Sequence, residues 1–115
     1  MGEYTLGEVD GQTLKMSNAF AGGIGSSHTD LCGAFTAGVM LIGALHGRTR
    51  PDADDDYSLQ LANAYRARFG HELGSVNCGE LRRERFGPQG EPCSALVEKA
   101  VMVFFETLDA AADKA

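Results

Sequence analysis

The feature that most constrains this chain is the run Ala34–Leu45, twelve small or apolar residues interrupted only by Thr36. A segment apolar on nearly every side predicts a helix buried at the centre of a fold. Gly33, Ala34, Ala37, Gly38, Gly43 and Ala44 keep it thin, so neighbours can pack close to its backbone. A membrane-crossing helix needs about 18 or more apolar residues, so no membrane insertion is expected.

Around this run almost nothing alternates with period two, and the pattern is helical throughout. A first helix is predicted over 12–21, with Leu14, Met16, Ala19 and Phe20 as its apolar positions and Gly22–Gly23 as its stop. The central helix spans about 31–47, capped by Thr29 or Asp30. A third helix begins in the acidic run Asp54–Asp56. It carries the stripe Leu61, Tyr65 and Phe69, and Gly70 closes it. Asn77 followed by Glu80 reads as a capping-box variant opening a short helix over 78–86. After a turn at 87–92, a last helix runs over 93–112. Its expected buried face is Val97, Ala100, Val101, Phe104 and Leu108. Residues 1–10 are polar and without period, a flexible terminus. The expectation is one all-α domain over 11–115 with about five helices, which suits a chain of 115 residues.

Ten Lys and Arg stand against sixteen Asp and Glu, a net charge of −6. An acidic chain is repelled by phosphate backbones, so nucleic acid is excluded as an expected partner. The first residues carry no basic cluster and no apolar stretch, so no signal peptide is read and a cytoplasmic protein is expected.

The chemistry points to three cysteines, Cys32, Cys78 and Cys93. An odd number without a CxxC pair disfavours a disulfide framework and the usual zinc-finger and thioredoxin readings. Each falls in the first turn of a predicted helix, where unpaired N–H groups and partial positive charge stabilise a thiolate. The plain alternative is cysteine packed as a small hydrophobe. His28 lies four residues before Cys32 and can reach the same site, and His71 can reach Cys78. His46 is fourteen residues beyond Cys32, about 21 Å along a helix. The loop containing Gly22, Gly23 and Gly25 begins like a phosphate-binding GxGxxG. However, His28 holds the third glycine's place and no strand precedes it. Such a loop can equally bring backbone N–H groups to sulfur at Cys32, with Gly33 beside it. Arg82, Arg83 and Arg85 form a small basic cluster, read as a solvated face or a docking patch.

These segments, in order, resemble the redox-active family C_GCAxxG_C_C. The likeness rests on Ala21-Gly22-Gly23-Ile24-Gly25, Cys32-Gly33-Ala34, Gly43 and Gly47-Arg48. It continues through Arg68-Phe69-Gly70, Val76-Asn77-Cys78-Gly79-Glu80-Leu81, and Pro92-Cys93 ahead of Leu96-Val97-Glu98. The resemblance implies a small helical protein whose cysteines act together in redox chemistry or hold an iron–sulfur or other metal centre. Carried over, those roles fall on Cys32, Cys78 and Cys93; His28, by its spacing to Cys32, is the further metal donor. The family's first cysteine has no counterpart in residues 1–15, and Ala37 stands where its motif has glycine. Three thiolates leave a tetrahedral or cluster site one ligand short. If the three act as one site, their sulfurs should lie within about 7 Å. A homodimer and an electron-transfer partner are expected. The other readings are a non-enzymatic helical interaction module, a homodimer with inert cysteines, and a small-molecule enzyme or binder using the glycine loop and His28.

Overall fold

The computed structural model describes residues 2–85 and 93–114. Six helices occur among them: α1 (Gly2–Leu6), α2 (Gly11–Asn18), α3 (Gly33–His46), α4 (Asp56–Leu73), α5 (Cys78–Arg85) and α6 (Cys93–Lys114). The fold is all-α. Extended pairing among the described residues is confined to one isolated antiparallel bridge, Leu31 with Asn77. The segment read as a polar terminus contains the five-residue α1, which lies against α3. The turn expected at 87–92 lies outside the described residues.

The core forms where α3, α4 and α6 meet. Leu61, Tyr65 and Phe69 are buried as their spacing predicts, and the stripe continues one more turn to Leu73. The helix therefore does not close at Gly70. A mid-helix glycine costs about 1 kcal/mol, while burying a leucine gains about 1.5–3 kcal/mol, so the helix extends. It ends at Gly74, whose φ of 96° suits glycine and whose N–H donates to the Gly70 carbonyl.

On α6 the buried face is Leu96, Ala100, Val103, Phe104 and Thr107. This is the expected face turned slightly, and Val97 is exposed. Phe35 of α3 stacks on Tyr65 with ring centroids 5.3 Å apart, while Phe69 and Phe104 meet Tyr65 edge-on at 5.8 and 5.6 Å. Gly38 is indispensable here, because a Cβ would stand 2.5 Å from the Tyr65 ring. The Tyr65 hydroxyl is buried without a hydrogen-bond partner. Burial, and secondarily negative charge at Cys32, hold its pKa well above the usual tyrosine range.

The first predicted helix is the clearest departure. It ends at Asn18 rather than at residue 21 and buries none of its residues. Leu14 and Met16 are 60% and 64% exposed. Residues two apart do not share a helix face, so these two cannot form one apolar stripe. The Asp10 carboxylate caps α2 by accepting from the Thr13 N–H at 2.8 Å. No helix of the described residues is long and apolar enough to cross a membrane.

Candidate functional site

The chain between α2 and α3 reverses its hand. Gly22, Gly23, Ile24, Gly25 and Ser26 have consecutive φ values of 65°, 62°, 64°, 61° and 60°, and His28 follows at 59°. Glycine adopts this region freely, but another L-residue does so at about 1–2 kcal/mol. For β-branched Ile24 it is a true outlier. The turn is closed by backbone bonds, Gly25 N–H to Ala19 O at 2.8 Å, Ser26 N–H to Ala21 O at 3.0 Å and His28 N–H to Gly22 O at 3.0 Å. Glycine at 23 is also a steric need, since a Cβ there would stand 2.4 Å from Cys78 Cβ and 3.0 Å from its sulfur.

The turn delivers residues 30–32 to residues 76–78. Around the Leu31–Asn77 bridge, Cys32 N–H donates to Val76 O at 2.8 Å and Cys78 N–H donates to Asp30 O at 2.7 Å. The two cysteines thus supply the backbone donors that hold the two segments together. Cys32, at the N-cap of α3, and Cys78, the first residue of α5, are thereby brought to one junction. Both are free thiols, not joined to each other by a disulfide. Cys32 is buried and Cys78 half-buried.

Asn77 fixes this junction twice. Its Oδ1 accepts from Glu80 N–H at 3.1 Å, capping α5, and its Nδ2 donates to Thr29 O at 3.0 Å. The capping box is completed through a relay. Asn77 N–H donates to Ser75 Oγ at 2.9 Å, and Ser75 in turn donates to the Glu80 carboxylate. The expected cap of α3 is corrected: Cys32 itself stands at the N-cap, without a side-chain cap bond. Thr29 and Asp30 are engaged through their carbonyls with residues 77 and 78. Cys78 opens α5 and Cys93 opens α6, so the cysteines do fall at helix starts.

Both described thiols line one cavity of about 330 Å³. His28 enters the same cavity, with Nδ1 3.6 Å from Cys78 Sγ. The sequence suggested that His28 can reach the site of Cys32, and both line this cavity; the reversed turn also carries His28 to a cysteine fifty residues away. Gly22, Gly23 and Gly33 line the cavity, whereas Gly25 does not. His71 is exposed on the last turn of α4, and His46 packs edge-on against Tyr57 at 4.8 Å, away from the cavity. The side chain of Cys93 lies outside the described residues. Arg82, read from sequence as part of a surface cluster, contributes to the cavity wall. The available signal was its position four residues after Cys78, which shares a helix face.

Imidazole and thiolate are suitable soft-metal donors. Among the described residues, however, the ligand atoms of His28, Cys32 and Cys78 do not all lie within 4.8 Å of one another; Asp54, Asp55 and Asp56 are the residues that do. Those aspartates are the start of α4, where Asp54 accepts from Asp56 N–H and Asp55 pairs with Arg48 at 3.5 Å. The three cavity donors therefore do not preform a single-ion site.

Comparison with known families gives a match. The family model described as "Putative redox-active protein (C_GCAxxG_C_C)" matches residues 2–107. No curated protein matches the chain, and no solved structure does.

Proposed function

The chain belongs to the C_GCAxxG_C_C family, and on that premise we propose that the cavity is a cysteine-based redox centre served by Cys32, Cys78 and Cys93. One observation carries this reading: two free thiols share a cavity, and one has an imidazole nitrogen 3.6 Å from its sulfur. His28 takes the Cys78 proton, and the thiolate attacks a disulfide brought by a redox partner. The incoming S–S bond breaks, one partner thiol leaves, and a mixed disulfide forms at Cys78. Cys32 then attacks Cys78 Sγ and releases the second partner thiol. Two protein thiols become one disulfide, and the two electrons leave on the two released thiols.

Cys93, the first residue of α6, is read as the third member of the set. The donor set of three thiolates and His28 is also one that an iron–sulfur cluster can take. The working protein is read as a cytoplasmic homodimer with an electron-transfer partner. Support for the dimer comes from α2, an eight-residue helix with Leu14 and Met16 exposed and no residue buried. Helices that short are marginal unless packed, and a second copy covers this face. Sedimentation of the purified chain tests the dimer.

The function is tested by iron, zinc and acid-labile sulfide on protein purified without oxygen, alongside the alkylation rate of Cys78 in wild type and His28→Asn. Asparagine tolerates the left-handed backbone at this position. The thiol reading predicts no sulfide and an alkylation rate at neutral pH lowered about tenfold in the variant. Iron with sulfide would make the cysteines cluster ligands. No metal, with three slow thiols indifferent to His28, would support an interaction module with inert cysteines.

A further inference from the structure

His28 meets Cys78 from a backbone that would not hold that position by itself. Its φ of 59° is left-handed, a conformation uncommon outside glycine and kept only where the surroundings impose it. Before it, the segment is tied within its own turn. His28 N–H donates to Gly22 O at 3.0 Å and Ser27 Oγ donates to Gly23 O at 2.9 Å. These bonds shape the turn and do not reach α5. After it, the segment is tied across to α5, where Asn77 Nδ2 donates to Thr29 O at 3.0 Å. Thr29 adjoins His28 and Asn77 adjoins Cys78, so this bond joins the neighbours of the two reacting groups. Gly79 permits the approach, since a Cβ there would stand 2.8 Å from the His28 carbonyl oxygen.

Capping α5 does not by itself call for asparagine. Asn, Asp and Ser cap a helix about equally well, because each offers an acceptor. The amide adds a donor on the same rigid plane. With Oδ1 accepting from Glu80 N–H, Nδ2 bonds Thr29 O. Ionised aspartate has no donor to offer, and the hydroxyl of serine falls one bond short. Resting on the redox reading above, we infer that Asn77 is a positioning residue whose amide holds His28 where it takes the Cys78 proton. That proton passes from Sγ to Nδ1, leaving a thiolate and an imidazolium. Asn77 acts on the transfer through the backbone of Thr29.

The test follows the rate at which iodoacetamide alkylates Cys78, located by peptide mapping, in the full chain across neutral and alkaline pH. The variants are Asn77→Ser, His28→Asn and the two combined. Serine keeps the cap and loses the Thr29 bond. Asn77→Ser should lower the rate at neutral pH by about threefold or more and move the pH profile toward that of His28→Asn. In the His28→Asn background the same substitution should change the rate by less than about 1.5-fold, as for two residues that act as one unit. Ser75→Ala removes the acceptor of the Asn77 N–H and leaves the Thr29 bond, so it should keep the wild-type pH profile. Thermal melts check that every variant folds. Slowing by Asn77→Ser that is equal in both backgrounds, or matched by Ser75→Ala, would overturn the inference and leave the redox reading standing. So would a His28-dependent rate that Asn77→Ser does not alter. A slow Cys78 indifferent to His28 would overturn both.

Discussion

The three-helix core and the loop-built cavity are held together by different means. In the core, side chains carry the structure: Phe35, Tyr65, Phe69 and Phe104 interlock with at most 5% of any one exposed. At the cavity, backbone carries it. Five consecutive left-handed residues and the bonds around one bridge set the positions of Cys32, Cys78 and His28. Packing makes the core tolerant of small shifts in backbone, whereas a site built from backbone depends on a few positions that admit only glycine. Local strain of this sort is held in place by the structure around it.

The comparison is sharpest under substitution. Phe104→Ala should cost about 3–5 kcal/mol in denaturant unfolding and leave the native-state alkylation rate of Cys78 unchanged. A large change in that rate would mean that the two regions are not separable. Gly23→Ala should cost about 2–5 kcal/mol, the left-handed penalty plus the clash with Cys78. It should also displace the sulfur from His28 and slow its alkylation. Gly25→Ala is the control, because its φ is equally positive but nothing stands within 4 Å of a new Cβ. It should cost only about 1–2 kcal/mol and spare Cys78 reactivity. Equal costs at Gly23 and Gly25 would remove the steric part of the account.

Tyr65→Phe should stabilise the protein by about 1 kcal/mol, because it deletes a buried hydroxyl that has no partner. It should also alter alkaline unfolding. A tyrosine whose pKa is raised by folding contributes stability fully present below about pH 10, lost as pH rises through the folded value. Tyr65→Phe should lose less stability above that pH than wild type. The smallest effect lies at Asp10, whose pKa is lowered by the Thr13 N–H bonded to it. Its stabilisation of α2 is present above the ordinary carboxylate pKa and lost as pH falls through the lowered value. Faster amide exchange at Thr13 in acid, absent in Asp10→Asn, would show it.

The all-α class was legible because Leu61, Tyr65 and Phe69 recur at four-residue spacing and the run from Ala34 allows only a buried helix. Leu73 shows the limit of reading punctuation locally: Gly70 looks like a stop until the next apolar residue is weighed against it. The cysteines' places at helix starts were legible from Asn77 and the loop before Cys32. The pairing of His28 with Cys78 was not, because it depends on a hand reversal running through Ile24 and Ser26 as well as the glycines. Composition marks where such a turn can form, but tertiary contacts decide how far it extends. Arg82 was hidden by its neighbours Arg83 and Arg85, which make all three look like a solvated face.

The most direct test of the redox centre is an anaerobic titration of the wild-type chain across a series of glutathione redox buffers, read by thiol count and disulfide mapping. The account predicts a reversible loss of two thiols per chain in one transition, with the bond joining Cys32 to Cys78, and no such transition in Cys78→Ser. Three thiols that stay reduced across the series, or a transition that persists without Cys78, would contradict it.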